Sequence, residues 1–249
     1  MISAVLFDFL GTLARLDRPE KDVNENAFAS AYKSLIDNGI KVSYENFKAA
    51  YLKLRTEVIK KRLDVELREV DFCDRLSMTL KLLNHDLSPE DKIIVEAVDA
   101  FFLEYFKALK LDENAMSVLK ELKDKYSLGI VSLLMYSPPL QKFLKKHNML
   151  KFFDVIVTSA DIGYRKPHSK IFLAALEKLK VKPFEAVFIG DDPIRDILGA
   201  KNIGMKTILI KPKEKKSCRA KPDKIITELK QIPTIIKELQ TKHTPLSRK

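Results

Sequence analysis

Four short segments of this chain carry residues able to do chemistry on an anion. An apolar run, Ala4-Val5-Leu6-Phe7, ends on Asp8, and the turn residues Gly11 and Thr12 follow at once. The run Leu128-Gly129-Ile130-Val131 ends on Ser132, and Lys166 follows the run Asp154-Val155-Ile156-Val157. The run Ala186-Val187-Phe188-Ile189 ends on Gly190-Asp191-Asp192, with Asp196 a little further on. In an open α/β sheet, ligands bind outside the carboxyl ends of the strands. Loops after such strands would bring these side chains to one edge. A set of carboxylates, one hydroxyl and one fixed cation suits phosphoryl transfer. In such chemistry two carboxylates can hold Mg²⁺, the ion and the lysine can neutralise phosphate oxygens, and Asp8 can attack in line. Taken singly, each residue has a plainer explanation: Asp8 as a turn or helix cap, Ser132 as a turn residue, Lys166 as a surface lysine. Asp191, Asp192 and Asp196 alone would read as caps of the next helix.

The elements that must position these residues follow from apolar patterning. After about residue 112, short continuous apolar runs alternate with helical stretches at 116–125, 140–147, 169–179 and 194–202, with further strands at 205–210 and 224–226. Continuous apolar strands separated by helices imply a parallel sheet covered on both faces. The fold class expected is therefore α/β, a doubly wound parallel sheet. Residues 20–108 are helical in pattern throughout. Ser43 precedes Phe47, Tyr51, Leu54 and Val58 at helical spacing, Asn38-Gly39 ends an earlier helix, and Ser88-Pro89-Glu90-Asp91 has the composition of a helix start. The expected organisation is a core of residues 1–18 and 109–239, an all-helical cap over 19–108, and a flexible tail over 240–249.

Composition bounds the partners. With 46% apolar and 32% charged residues the chain is globular, and no apolar run approaches the ~20 residues that span a bilayer. No membrane association and a cytoplasmic location are expected. Cys73 and Cys218 lack metal-site spacing, which fits a reducing compartment. The net charge of +11 would attract anions, but the lysines are interleaved with glutamates and the densest run, Lys211–Arg219, is short. That run reads as a solvated loop, and nucleic acid is not the expected partner. Abundant Lys, Glu and Ile, seven glycines and no Trp point to a thermophile.

In order along the chain, Asp8-Phe9-Leu10-Gly11-Thr12-Leu13, Ser132, Arg165-Lys166-Pro167, and Gly190-Asp191-Asp192 with Asp196-Ile197-Leu198-Gly199-Ala200 resemble the four motifs of the haloacid-dehalogenase-like hydrolase superfamily. The resemblance covers nearly the whole chain and includes a helical cap inserted after the first motif. It implies a Rossmann-like core, Mg²⁺ and a covalent aspartyl intermediate. It casts Asp8 as nucleophile and metal ligand, the Leu10 carbonyl and Asp191 as the other protein ligands, and Asp192 or Asp196 as groups behind them. Ser132 and Lys166, with Gly11 and Thr12 of the first turn, would bind the phosphoryl group, and Lys166 would orient Asp8.

Departures from the family pattern set the subclass. Phosphatases of the family carry Asp where Leu10 stands, to protonate the leaving alcohol and activate water. The 2-haloacid dehalogenases lack it, because halide leaves without a proton. They also need no metal and carry Tyr where Phe172 stands, whereas this chain keeps Gly190-Asp191-Asp192. Leu133 replaces a polar Asn common to both. The expected activity is a Mg²⁺-dependent phosphatase of small metabolites such as triose or sugar phosphates. A 2-haloacid dehalogenase, or a catalytically weak protein that binds a phosphorylated ligand or a protein, is the alternative. Glu25, Asp22 and Glu57 are candidate proton donors from the cap. Lys48, Lys53, Lys60 and Lys61 are the cap lysines that an imine-forming phosphonate hydrolase would need. The substrate is expected to be a small anion, and the chain a monomer or homodimer.

Overall fold

Ala4–Phe7 is apolar on both sides because it forms a central strand, β1, with helices packed against each face. The computed structural model describes residues 1–210 and 221–241. After β1 come β2 (Ala14–Leu16) and the helices α1 (Glu20–Asp37), α2 (Tyr44–Leu54), α3 (Lys60–Asp64), α4 (Phe72–Lys81) and α5 (Lys92–Lys107). The chain then returns through β3 (Leu109–Leu111), α6 (Ala115–Lys123), β4 (Ser127–Ser132), α7 (Pro138–Lys146), β5 (Val155–Thr158), α8 (Ser159–Ile162) and α9 (Ser169–Leu179). It closes with β6 (Ala186–Gly190), α10 (Gly199–Asn202), β7 (Lys206–Ile210), β8 (Lys224–Ile226) and α11 (Ile232–Thr241).

Six strands form one parallel sheet in the order β5-β4-β1-β6-β7-β8. This is the doubly wound arrangement expected. Side chains alternate across a strand, so Val5 and Phe7 join α6, α7 and α11 on one face. Ala4 and Leu6 join Ile171, Phe172 and Ala200 of α9 and α10 on the other. The chain order reverses at β1, with β4 on one side and β6 on the other. Such a switch point leaves a crevice at the carboxyl ends of the strands.

The helices between β2 and β3 hold a separate apolar cluster. Phe28 stacks on Phe47 at 4.8 Å between ring centroids, and Phe72 meets Phe101 at 4.5 Å. Ser43 caps α2 by accepting from the Asn46 N–H, and Gly39 with positive φ follows the end of α1. Three local expectations are corrected, and one short strand pair is added. Helix α5 starts at Lys92 rather than at Ser88, because the Asp91 N–H closes a turn on the Ser88 carbonyl and the Asp91 carboxylate then caps Ile93. Strands β2 and β3 form a short antiparallel pair where the chain leaves and rejoins the sheet. The stretch expected as one helix over 194–202 opens with a π-helical segment, Pro193–Leu198, ahead of α10. Gln240, expected in the tail, lies in α11 with its Nε2 donating to the Ile2 carbonyl at 3.2 Å. Cys73 is a buried free thiol. Cys218, the Lys211–Arg219 run and residues 242–249 lie outside the described residues. Among the described residues, no helix is long and apolar enough to cross a membrane.

Candidate active site

Asp8 is placed by pairing on both sides of β1. Its N–H donates to the Ile189 carbonyl at 2.8 Å, and the turn behind it folds tightly as Leu13 and Ala14 donate to the Phe9 carbonyl. Gly11 sits in that turn at φ +102°, and a Cβ there would collide with the Asp191 carboxylate. Only glycine combines this backbone angle with so close an approach. At Gly190 the close approach alone decides, since a Cβ would strike the Asp196 carboxylate.

Lys166 holds the centre. Its Nζ donates to Asp8 Oδ1 and to Asp196 Oδ1, each at 2.6 Å, with all three residues buried. Asp191 completes a trio in which carboxylate oxygens of Asp8, Asp191 and Asp196 lie within 4.8 Å of one another. Burial is the largest influence on Asp8 and pushes its carboxyl up to about 7, against the lowering effect of Lys166. The Asp196 and Asp191 charges push the same way as burial. Burial also works against the Lys166 charge, but Asp196 and Asp8 outweigh it and hold the ammonium above its usual range. One lysine among three gathered carboxylates leaves excess negative charge. An all-oxygen, carboxylate-rich donor set of this kind fits a hard divalent cation such as Mg²⁺.

Asp192 does not join the trio. Its carboxylate accepts from the Ile194 and Arg195 N–H groups, each at 2.8 Å, and so caps the segment that follows. Ser132 is buried at the end of β4 and lines the cleft, as do Leu10 and Leu133. Gly11 and Thr12 fall outside the cleft lining. Gly11 backs Asp191, and the Thr12 hydroxyl is buried with no hydrogen-bond partner among the described residues. Phe172 packs edge-on against Phe188 at 5.0 Å, inside the core rather than in the cleft.

The cleft, about 910 Å³, is walled by the sheet's carboxyl edge and by the helical insert. Of the expected cap donors, Glu25 lines it and Asp22 and Glu57 do not; of the cap lysines, Lys48 does and Lys53, Lys60 and Lys61 do not. Sequence reasoning missed Glu20, Arg55, Arg75, Arg165 and Arg195 on its walls. Arg165 and Arg195 stand inside the motifs themselves, so their place beside Lys166 and Asp196 was the available signal. Arg75 comes from α4 and gave none.

The model of the haloacid dehalogenase-like hydrolase family matches residues 5–210. The chain belongs to the haloacid dehalogenase-like hydrolase family. As a hydrolase of this family it is similar to glyceraldehyde 3-phosphate phosphatase of Methanopyrus kandleri, with 32% identity over 85% of this chain and 84% of that one. It is 29% identical to ribulose-1,5-bisphosphate 5-phosphatase of Halopiger xanaduensis over 92% of each. Among solved structures, the 2-haloacid dehalogenase from Pseudomonas syringae pv. Tomato shares the fold with a TM-score of 0.71 at 24% identity, over 96% of this chain and 100% of that one.

Proposed function

We propose that this hydrolase is a phosphatase of small phosphorylated metabolites, triose or sugar phosphates, acting through a phosphorylated Asp8. The observation that carries the reading is the trio Asp8, Asp191 and Asp196 gathered around Lys166. Three carboxylates beside an anionic substrate exceed what the one Lys166 ammonium offsets, and a bound divalent cation would balance the rest. The likeness to two sugar-phosphate phosphatases over most of both chains supports the substrate class.

Asp8, Asp191 and the Leu10 carbonyl would hold Mg²⁺, with Asp196 behind them; when bound, the ion offsets the charge of the phosphoryl oxygens and the carboxylates. Lys166 orients the Asp8 carboxylate, and its ammonium neutralises a phosphoryl oxygen. The Ser132 hydroxyl donates to another. An Asp8 oxygen attacks phosphorus, the ester P–O bond breaks, and the phosphoryl group passes to Asp8. Water then cleaves the acyl phosphate, releasing inorganic phosphate and restoring the carboxylate. Leu10 has no proton to give the leaving oxygen. Glu20 and Glu25, which line the cleft from α1, are the insert's candidate donors.

The dehalogenase reading draws on Leu10, since halide needs no proton. The carboxylate trio weighs against it, because a haloacid carboxylate would be repelled without a cation. The test is inorganic phosphate release from triose and sugar phosphates, with Mg²⁺ or with EDTA, using wild type and Asp8→Asn. Release that needs both Mg²⁺ and Asp8 is expected. Halide release from 2-haloacids in EDTA, with no phosphate release, would overturn the proposal.

A further inference from the structure

Among the described ion-paired side chains, Glu69 is the most completely buried acid outside the carboxylate trio, at 1% exposure. It lies in the segment joining α3 to α4, well away from Asp8 in sequence. A buried charge is costly unless it is fully paired, and this one is. Its Oε1 accepts from Arg75 Nη2 at 3.0 Å and from the Val70 N–H at 3.1 Å. Its Oε2 accepts from Arg165 Nη1 at 2.7 Å and from Ser159 Oγ at 2.6 Å. Hydrogen bonds to an ionised acceptor are about twice as strong as neutral ones.

What these partners hold matters more than their number. Arg165 immediately precedes Lys166. Ser159 Oγ also accepts the N–H of Leu134, at 3.0 Å, in the loop that follows Ser132. The backbone repeats the same connections. The Arg165 N–H donates to the Leu67 carbonyl at 2.7 Å, the Glu69 N–H to the Gly163 carbonyl at 3.0 Å, and the Phe72 N–H to the Met135 carbonyl at 2.9 Å. Residues 67–72 of the insert are thus threaded between the loop that follows Ser132 and the loop that carries Lys166. Arg75 and Arg165, both gripped by Glu69, line the cleft.

We infer that Glu69 is a positioning residue for phosphate recognition, one carboxylate in the insert that fixes the Ser132 loop through Ser159 and the Lys166 loop through Arg165. The inference rests on the phosphatase reading, which puts Ser132 and Lys166 at the phosphoryl group. Small misplacements of binding groups by remote changes can cost on the order of a hundredfold. Glu69→Gln keeps the shape of the side chain and removes the charge that holds both arginines.

The probe is inorganic phosphate, titrated as a competitive inhibitor of the Mg²⁺-loaded full chain, with KM and kcat measured on one phosphate ester and thermal unfolding followed in parallel. Glu69→Gln is expected to weaken phosphate binding and raise KM by roughly ten- to a hundredfold, with a smaller effect on kcat. Ser159→Ala and Arg165→Gln should act in the same direction. In the Glu69→Gln background each should add little, because the shared interaction is already gone. If Glu69→Gln does not fold, these two single variants carry the test. Phosphate affinity and KM unchanged, with only the unfolding temperature lowered, would overturn the inference and leave Glu69 a structural ion pair. Lys166→Met separates the two levels. If it too leaves phosphate affinity unchanged, the placement of the phosphoryl site fails, and the role of Glu69 fails with it.

Discussion

Leu10 lines the cleft two residues beyond the nucleophile candidate and has no group able to move a proton. General acid–base help is typically worth 10²–10⁴-fold. Leu10→Asp should therefore raise kcat on alkyl phosphates by about a hundredfold and leave aryl phosphates, whose leaving groups need little protonation, nearly unchanged. Steady-state rates on a matched alkyl and aryl pair check this, and equal rates for the variant and wild type on the alkyl ester would refute it. Asp192 makes the opposite point, because its carboxylate is occupied as a cap. Asp192→Ala should lower stability by about 1 kcal/mol without changing the Mg²⁺ concentration needed for activity, as denaturant unfolding and metal titration would report. At this scale much of the site was legible. Asp8, Ser132 and Asp191 stand at the ends of apolar runs, Lys166 and Asp196 lie in the connections after β5 and β6, and strand ends of a parallel sheet share one edge. Glu69 and Arg75 were not legible. Their importance lies in contacts with Arg165 and Ser159, which only the packed chain brings together.

The strands β1, β4, β5 and β6 read directly from sequence, because burial on both faces leaves continuous apolar runs. Strands β2 and β3 did not. Each has three residues, and each exists through a partner at the far end of the insert. The start of α5 departs from its expected place for a related reason: Ser88 and Asp91 are both capable caps, and the turn between them decides which is used. Element ends are also held by charge. The Asp154 carboxylate, just before β5, accepts from the Leu128 N–H of β4 at 2.9 Å and from Lys123 of α6. Burial pulls its carboxyl upward, but these bonds outweigh it and hold it below the ordinary 3.8. A depressed value in the folded state stabilises above the unfolded value, and that contribution disappears as pH falls through the folded one. Asp154→Asn should thus be less stable than wild type at neutral pH, with the gap closing below pH 3.8. Urea unfolding across pH checks this, and a gap independent of pH would contradict it.

At the scale of the whole molecule, two packed bodies of side chains meet across the cleft. The sheet with its helices is one, and the aromatic cluster of the insert is the other. The net charge of +11 does not say where cations act; on the cleft walls Lys48, Arg55 and Arg195 stand among the acids, while Arg75 and Arg165 are held by Glu69. Electrostatic steering weakens with ionic strength. The kcat/KM of an anionic ester should fall as NaCl rises, with kcat nearly constant; a flat salt profile would mean that the wall charges do not guide substrate. The central claim is that catalysis passes through a covalent Asp8. Its most direct test is acid quenching of the Mg²⁺-loaded enzyme during turnover of a sugar phosphate, followed by peptide mass spectrometry. The account predicts one added phosphoryl group, mapped to Asp8 and absent from Asp8→Asn. Phosphate release without any adduct, or an adduct on another residue, would contradict it.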